Sequence, residues 1–297
     1  MQRKDIHWGI SVYFDEPERD FAESIEPACK EVFNFAWSQL GIEVSRRVRI
    51  YIVKSWWSFI LRSFPKVSTA IIYLPLLFLY YSLFIKSNDI KHLVYILIIL
   101  LTPLIAAFIV KTNWKMCGGW FHFQAFSYSL GIIPPHIKRL SETEIGKCLK
   151  LELLSQEEEV RLILCHRMSH AFTEQLSLPY WLDEGTAMLL HEGYLNKRIM
   201  RQDTLELIEA SLNQKAPRRL LETDSMLLYA RGYWRTRFIA ETQPEFHRLI
   251  TTKKHSRGIL KEMIFQVYGS DRKAFWSTNQ LDRLLLQHFQ HPLKSAS

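Results

Sequence analysis

Cysteine is scarce in this chain: four residues in 297, at Cys29, Cys117, Cys148 and Cys165, with neither paired spacing nor the doublets of a zinc knuckle. That excludes a disulfide-stapled scaffold and a cysteine-built metal site, and it reads as reduced thiols. No apolar run follows Met1-Gln2-Arg3-Lys4-Asp5, so no secretory signal is expected. Internal repeats and low-complexity stretches are missing as well. Dense basic clusters are few. Lys and Arg outnumber Asp and Glu 38 to 30, for a formal charge of +8, yet the basic residues gather only at Arg46-Arg47-Arg49, Arg218-Arg219 and Lys253-Lys254. No nucleic-acid motif accompanies them, so no nucleic-acid partner is expected; a solvated surface or attraction to anionic lipid accounts for the charge.

Apolar residues make up 48% of the chain, enough for one large core or two lobes. Two stretches, 67–85 and 92–110, are each 19 residues long without Asp, Glu, Lys or Arg. That length fits a hydrocarbon core of ~30 Å and predicts a transmembrane hairpin over 64–111, with the bilayer as a partner. Pro75 and Pro103 inside the runs are tolerated in membrane helices. Lys54, Arg62, Lys66, Lys111 and Lys115 flank the runs on one side, against Lys86 and Lys91 in the turn. The positive-inside rule then predicts a two-pass membrane protein whose folded domain faces the cytoplasm. A helical hairpin buried in a protein core, or one dipping into a single leaflet, is the alternative.

Outside the runs, 7–14, 47–54 and 120–126 read as strands, the second alternating as R-V-R-I-Y-I-V-K. Between the first two, Phe21, Ile25, Val32, Phe33, Ala36 and Leu40 recur at helical spacing up to Gly41, with Pro27 a start or kink. Residues 138–154 are polar connecting structure. From 157 onward the chain reads as helices, at 203–213, 225–242, 244–251, 259–268 and about 271–289 beyond the motif region. The divisions expected are 1–55 and 112–156 as two parts of an N-terminal α+β lobe, 64–111 as the hairpin, and 157–297 as a helical lobe.

One stretch carries chemistry. His166 and His170 stand four apart on a predicted helix, so both imidazoles leave one face and can hold one metal ion. With 11 histidines in the chain, such a pair also arises by chance, and two histidines packed in a core are the alternative. The surroundings add weight. Glu157, Glu158 and Glu159 suit the positive end of a helix. After Pro179, Trp181-Leu182-Asp183-Glu184-Gly185 opens a second helix whose Glu184 is either a third ligand or a helix-starting carboxylate. Tyr229-Ala230-Arg231-Gly232-Tyr233 lies on a further helix.

Together these residues resemble the gluzincin, or peptidase-MA-like, zinc metallopeptidases, whose motif runs H-E-x-x-H, then W-L-x-E-G-x-A, then Y-x-x-G. The resemblance implies zinc on His166, His170 and Glu184. It implies Tyr229 as the stabiliser of the tetrahedral intermediate, although a packed aromatic serves the residue equally well. It also implies a zincin-like α+β fold, in which an edge strand near Gly119, Trp120, Phe121, His122 and Phe123 receives a peptide as an added strand. In such sites zinc lowers the pKa of its water towards ~7 and the motif glutamate accepts the proton. Here that position is Arg167, which stays protonated and accepts no hydrogen bond. Its cation is expected to turn toward Asp183, Glu174 or Glu184.

Three functions follow as expectations. The first is a membrane-anchored, metallopeptidase-like protein without ordinary peptidase activity, keeping a peptide- or zinc-binding cleft. The second is an active zinc peptidase with a non-standard base, working near the membrane. The third is a membrane scaffold with a vestigial cleft.

Overall fold

Alternation in the strands builds the first layer. In the computed structural model, residues 1–6, 9–41, 43–44, 46–63, 119–124, 127–176, 178–213, 223–243 and 279–290 are described. Strands β1 (Gln2–Asp5), β2 (Ile10–Phe14), β3 (Arg47–Ile52), β4 (Gly119–Gln124) and β5 (Ser127–Ile132) form one sheet in the order β1-β2-β3-β5-β4. The pairs β2/β3 and β3/β5 are parallel, and β1/β2 and β4/β5 are antiparallel. Because strand side chains alternate between faces, Val12, Ile50 and Leu130 are buried on one side of the sheet. Tyr13 and Tyr51 stack on the other, their rings 4.8 Å apart.

Helix α1 (Arg19–Leu40) links β2 to β3 and buries Ala22, Ile25, Cys29, Val32, Ala36 and Leu40, which recur every three or four residues. It runs through Pro27 without ending and stops at Gly41, whose φ of 61° closes the helix in the left-handed region that glycine adopts freely. A short helix, α2 (Trp56–Ser63), follows β3 and places Phe59 against Tyr51.

The longer helices that follow are α3 (Gln156–Thr173), α4 (Tyr180–Leu195), α5 (Thr204–Asn213), α6 (Thr223–Thr242) and α7 (Asn279–Gln290). Helix α3 is buried nearly all round, as a helix enclosed by its own protein must be. Val160, Leu164, Cys165, Met168 and Phe172 join the sheet and α1, whereas Leu162 and Ile163 join the core of α4, α5, α6 and α7.

That arrangement corrects the expected architecture. The described chain is mostly helical around one mixed sheet, and α3 belongs to both cores, so residue 157 does not divide a sheet lobe from a helical one. The transmembrane hairpin and the multi-pass membrane location, with its cytoplasmic domain, are corrected too. No helix among the described residues is long and apolar enough to cross a membrane, and the runs 67–85 and 92–110 lie outside them. A long apolar run reports exclusion from water, which a protein interior supplies as well as lipid. At the strand level, β1 and β5 add to the three strands expected. Residues 138–154 include a short helix, Glu144–Lys147, within the connecting structure. Residues 244–251 and 259–268 lie outside the described residues.

Candidate metal centre

Helix α3 starts on a capping box: Ser155 Oγ accepts from the Glu158 backbone N–H, and the Glu158 carboxylate accepts from that of Ser155. This fixes the phase of the helix. Eleven residues after Ser155, His166 faces α4, and one turn later so does His170; their rings stand 5.0 Å apart and nearly perpendicular. Helix α4 begins after Pro179 and brings Asp183 and Glu184 opposite the two histidines within its first turns. The sequence thus supplies two elements, and their crossing supplies the site.

Glu184 Oε2 lies 3.2 Å from His166 Nε2, and Glu184 Oε1 lies 3.7 Å from His170 Nε2. One ligand atom from each residue falls within 4.8 Å of the others, and the three residues are 2%, 4% and 4% exposed. Metal–ligand bonds of ~2.1 Å in tetrahedral array place neighbouring donors about 3.4 Å apart, so this His-His-Glu group can hold a metal ion. Nε2 of His166 and Oε2 of Glu184, both buried, face each other without a hydrogen bond of good geometry, and the buried Nδ1 of His166 has no hydrogen-bond partner among the described residues. An ion held between Nε2 of His166 and Oε2 of Glu184 would satisfy those two atoms, each of which otherwise costs about 1–3 kcal/mol, and would leave Nδ1 of His166 to another partner. The donor set fits a borderline cation, with two imidazoles and one carboxylate.

Asp183 completes the arrangement from behind. Its Oδ2 is 2.8 Å from His170 Nδ1, and its Oδ1 accepts a hydrogen bond from Thr173 Oγ1. A carboxylate on the far nitrogen fixes the tautomer that leaves Nε2 free to face an ion. The local electrostatics match. Burial drives His166 down to about 4, so its imidazole is neutral. Burial works against the ionised form of Glu184, but His170, His166 and Arg167 outweigh it and hold the carboxyl at about 2. For His170, burial is likewise outweighed, by Asp183 and Glu184, and the ring titrates above its ordinary value.

Arg167 is 7% exposed. Its Cγ lies 3.7 Å from where a Cβ on Gly119 would stand, so the side chain passes the first residue of β4, and its charge disfavours protonation of both histidines. Of the partners expected for it, Asp183 is engaged with His170 and Thr173, and Glu174 accepts from the Tyr128 hydroxyl at 3.2 Å. Tyr229 is buried with its ring centroid 6.4 Å from that of His166. Gly119, Trp120, Phe121, His122 and Phe123 all fall on β4, the edge strand, in antiparallel register with β5 from Gly119↔Ile132 to Phe123↔Tyr128.

Three features of the site went unread in the sequence: Asp183 behind His170, the buried His191 whose ring lies 5.9 Å from that of His166, and the Gly185–Gly232 crossing. A Cβ on Gly185 would run into Thr236 Oγ1 and the Gly232 carbonyl, and one on Gly232 would stand 2.9 Å from the Trp181 carbonyl oxygen. The two glycines therefore let α4 and α6 touch backbone to backbone, which sets Glu184 and Tyr229 at one cluster. Their presence in W-L-D-E-G and Y-A-R-G-Y was the available signal. No protein-family model matches the chain, and comparisons with curated proteins and with solved structures find no match either.

Proposed function

We propose that this protein binds zinc through His166, His170 and Glu184 in a gluzincin-like arrangement and has given up ordinary peptidase catalysis. The observation that carries the reading is the buried His-His-Glu group backed by the Asp183–His170 hydrogen bond. A carboxylate behind a histidine is the outer support that metal-ligating imidazoles require. Zinc held there would supply Lewis acidity. Position 167 offers no proton acceptor, and losing a general base typically costs 10²–10⁴ in rate. The edge strand β4, whose first residue lies against α3, is the strand along which an extended peptide or protein segment would lie.

The test is zinc content of the purified full chain beside a His170→Ala variant, with hydrolysis of a mixed peptide library followed in parallel. About one zinc per wild-type chain, none in the variant and no turnover above background support the reading. Absence of zinc from the wild type after loading removes it, and zinc-dependent turnover transfers the case to an active peptidase with another base.

A further inference from the structure

His191 is wholly buried, and neither of its ring nitrogens has a hydrogen-bond partner among the described residues. It sits on α4 seven residues after Glu184, two turns on, and therefore on the same face. Its ring centroid lies 5.9 Å from that of His166, the rings inclined at 39°. His166 directs Nε2 toward Glu184, and its Nδ1 has no hydrogen-bond partner among the described residues. On the companion histidine, His170, the same nitrogen is taken by Asp183. Two buried imidazoles, each with an unsatisfied nitrogen, thus stand side by side at the one cluster where outer support of a ligand is needed.

We propose that His191 is a positioning residue for the metal centre: it accepts the Nδ1–H of His166 and so holds His166 in the tautomer whose Nε2 faces the ion. This rests on the zinc-binding reading above. An N–H···N bond of about 2.9–3.0 Å between imidazoles whose nitrogens face each other sets the centroids about 5.2 Å apart, near the separation seen here. A neutral imidazole carries one N–H and one lone pair, so His191 has an acceptor to offer. His191 is not itself a fourth ligand. Seven helical residues span about 10.5 Å from Glu184 along the axis, and His191 is outside the group whose donors lie within 4.8 Å. One ligand would then be braced by a carboxylate and the other by an imidazole.

The experiment uses the zinc-loaded full chain with ¹⁵N-labelled histidine, together with zinc affinities by chelator competition for wild type, His191→Leu and His191→Gln. The expected result is a nitrogen–nitrogen coupling across the hydrogen bond from His166 Nδ1–H to His191. Affinity should fall 10- to 100-fold in His191→Leu and be partly restored in His191→Gln, whose amide oxygen still accepts. The zinc-free stability of His191→Leu should hold or rise, because an apolar group replaces unsatisfied nitrogens. A His166 Nδ1–H without that coupling overturns the proposal even if His191→Leu fails to fold. Unchanged affinity in a folded His191→Leu overturns it as well, while leaving zinc binding intact. A wild type that takes up no zinc removes both.

Discussion

Arg167 stands one residue from the candidate ligand His166, and its charge opposes any further positive charge on His166 and His170. Arg167→Glu reverses the sign of that field, so it is expected to retain more zinc than wild type after dialysis against a chelator. Equal retention would mean the guanidinium is turned away from the cluster. Asp183 acts from the opposite side. Asp183→Asn keeps a hydrogen-bond acceptor near His170 but removes the charge that makes the imidazole a stronger donor, and a loss of about 10- to 100-fold in zinc affinity is expected. Isothermal titration of the two variants beside wild type measures both effects. The candidate ligands were legible as residues because an i, i+4 pair on a helix must share a face. Asp183 was read as a partner for Arg167 rather than for His170, since nothing along α4 says which side chain on α3 it meets.

Helices α4 and α6 cross where Gly185 and Gly232 leave room for backbone contact. Gly185→Ala forces the pair apart, at a cost of about 1–3 kcal/mol for overpacking, and it moves the adjacent Glu184. Urea unfolding should therefore show lower stability, and zinc affinity should fall with it. Ser155→Ala makes a useful contrast. It removes the capping oxygen of α3, costs about 1 kcal/mol, and lies far enough along the helix to leave zinc affinity within twofold of wild type. If both variants lost affinity alike, the ligand geometry would depend on helix stability in general rather than on that crossing. The strands tell a similar story. Alternation in 47–54 predicted β3, while β5 was passed over although Ser127-Tyr128-Ser129-Leu130-Gly131-Ile132 alternates too. Its serines and glycine lowered the apolar signal that burial between β3 and β4 made unnecessary.

At the scale of the whole molecule, the last described helix is tied to the site-bearing helices by charge. Asp282 on α7 is fully buried, with its carboxylate oxygens 2.6 and 2.8 Å from Arg235 and 3.0 Å from Arg231 on α6. Asp282→Ala leaves Arg235 buried opposite an empty place and should cost about 3–5 kcal/mol, read as a lower urea midpoint. Three buried thiols set an alkaline limit. Burial pushes Cys29, Cys148 and Cys165 from 9.0 up to about 12. The unfolded chain releases these protons from about pH 9 while the folded chain keeps them, so their contribution is complete below 9 and is lost as pH rises toward 12. Between pH 8.5 and 10.5 the urea midpoint should fall more steeply for wild type than for Cys29→Ala. An identical slope would show that Cys29 is reached by solvent.

By itself the sequence determined the periodic things: the buried face of α1, the alternation of β3, the stop at Gly41 and the shared face of His166 and His170. These follow from spacing along one element, which is written in the chain. Tertiary structure alone decided what faces what across elements. It joined α3 to two cores where a lobe boundary was expected, and it set Asp183 behind His170. It also placed His191 beside His166 and threaded Arg167 past Gly119. Such contacts arise from the packing of surfaces distant in sequence, and no local period encodes the angle and depth at which two helices meet.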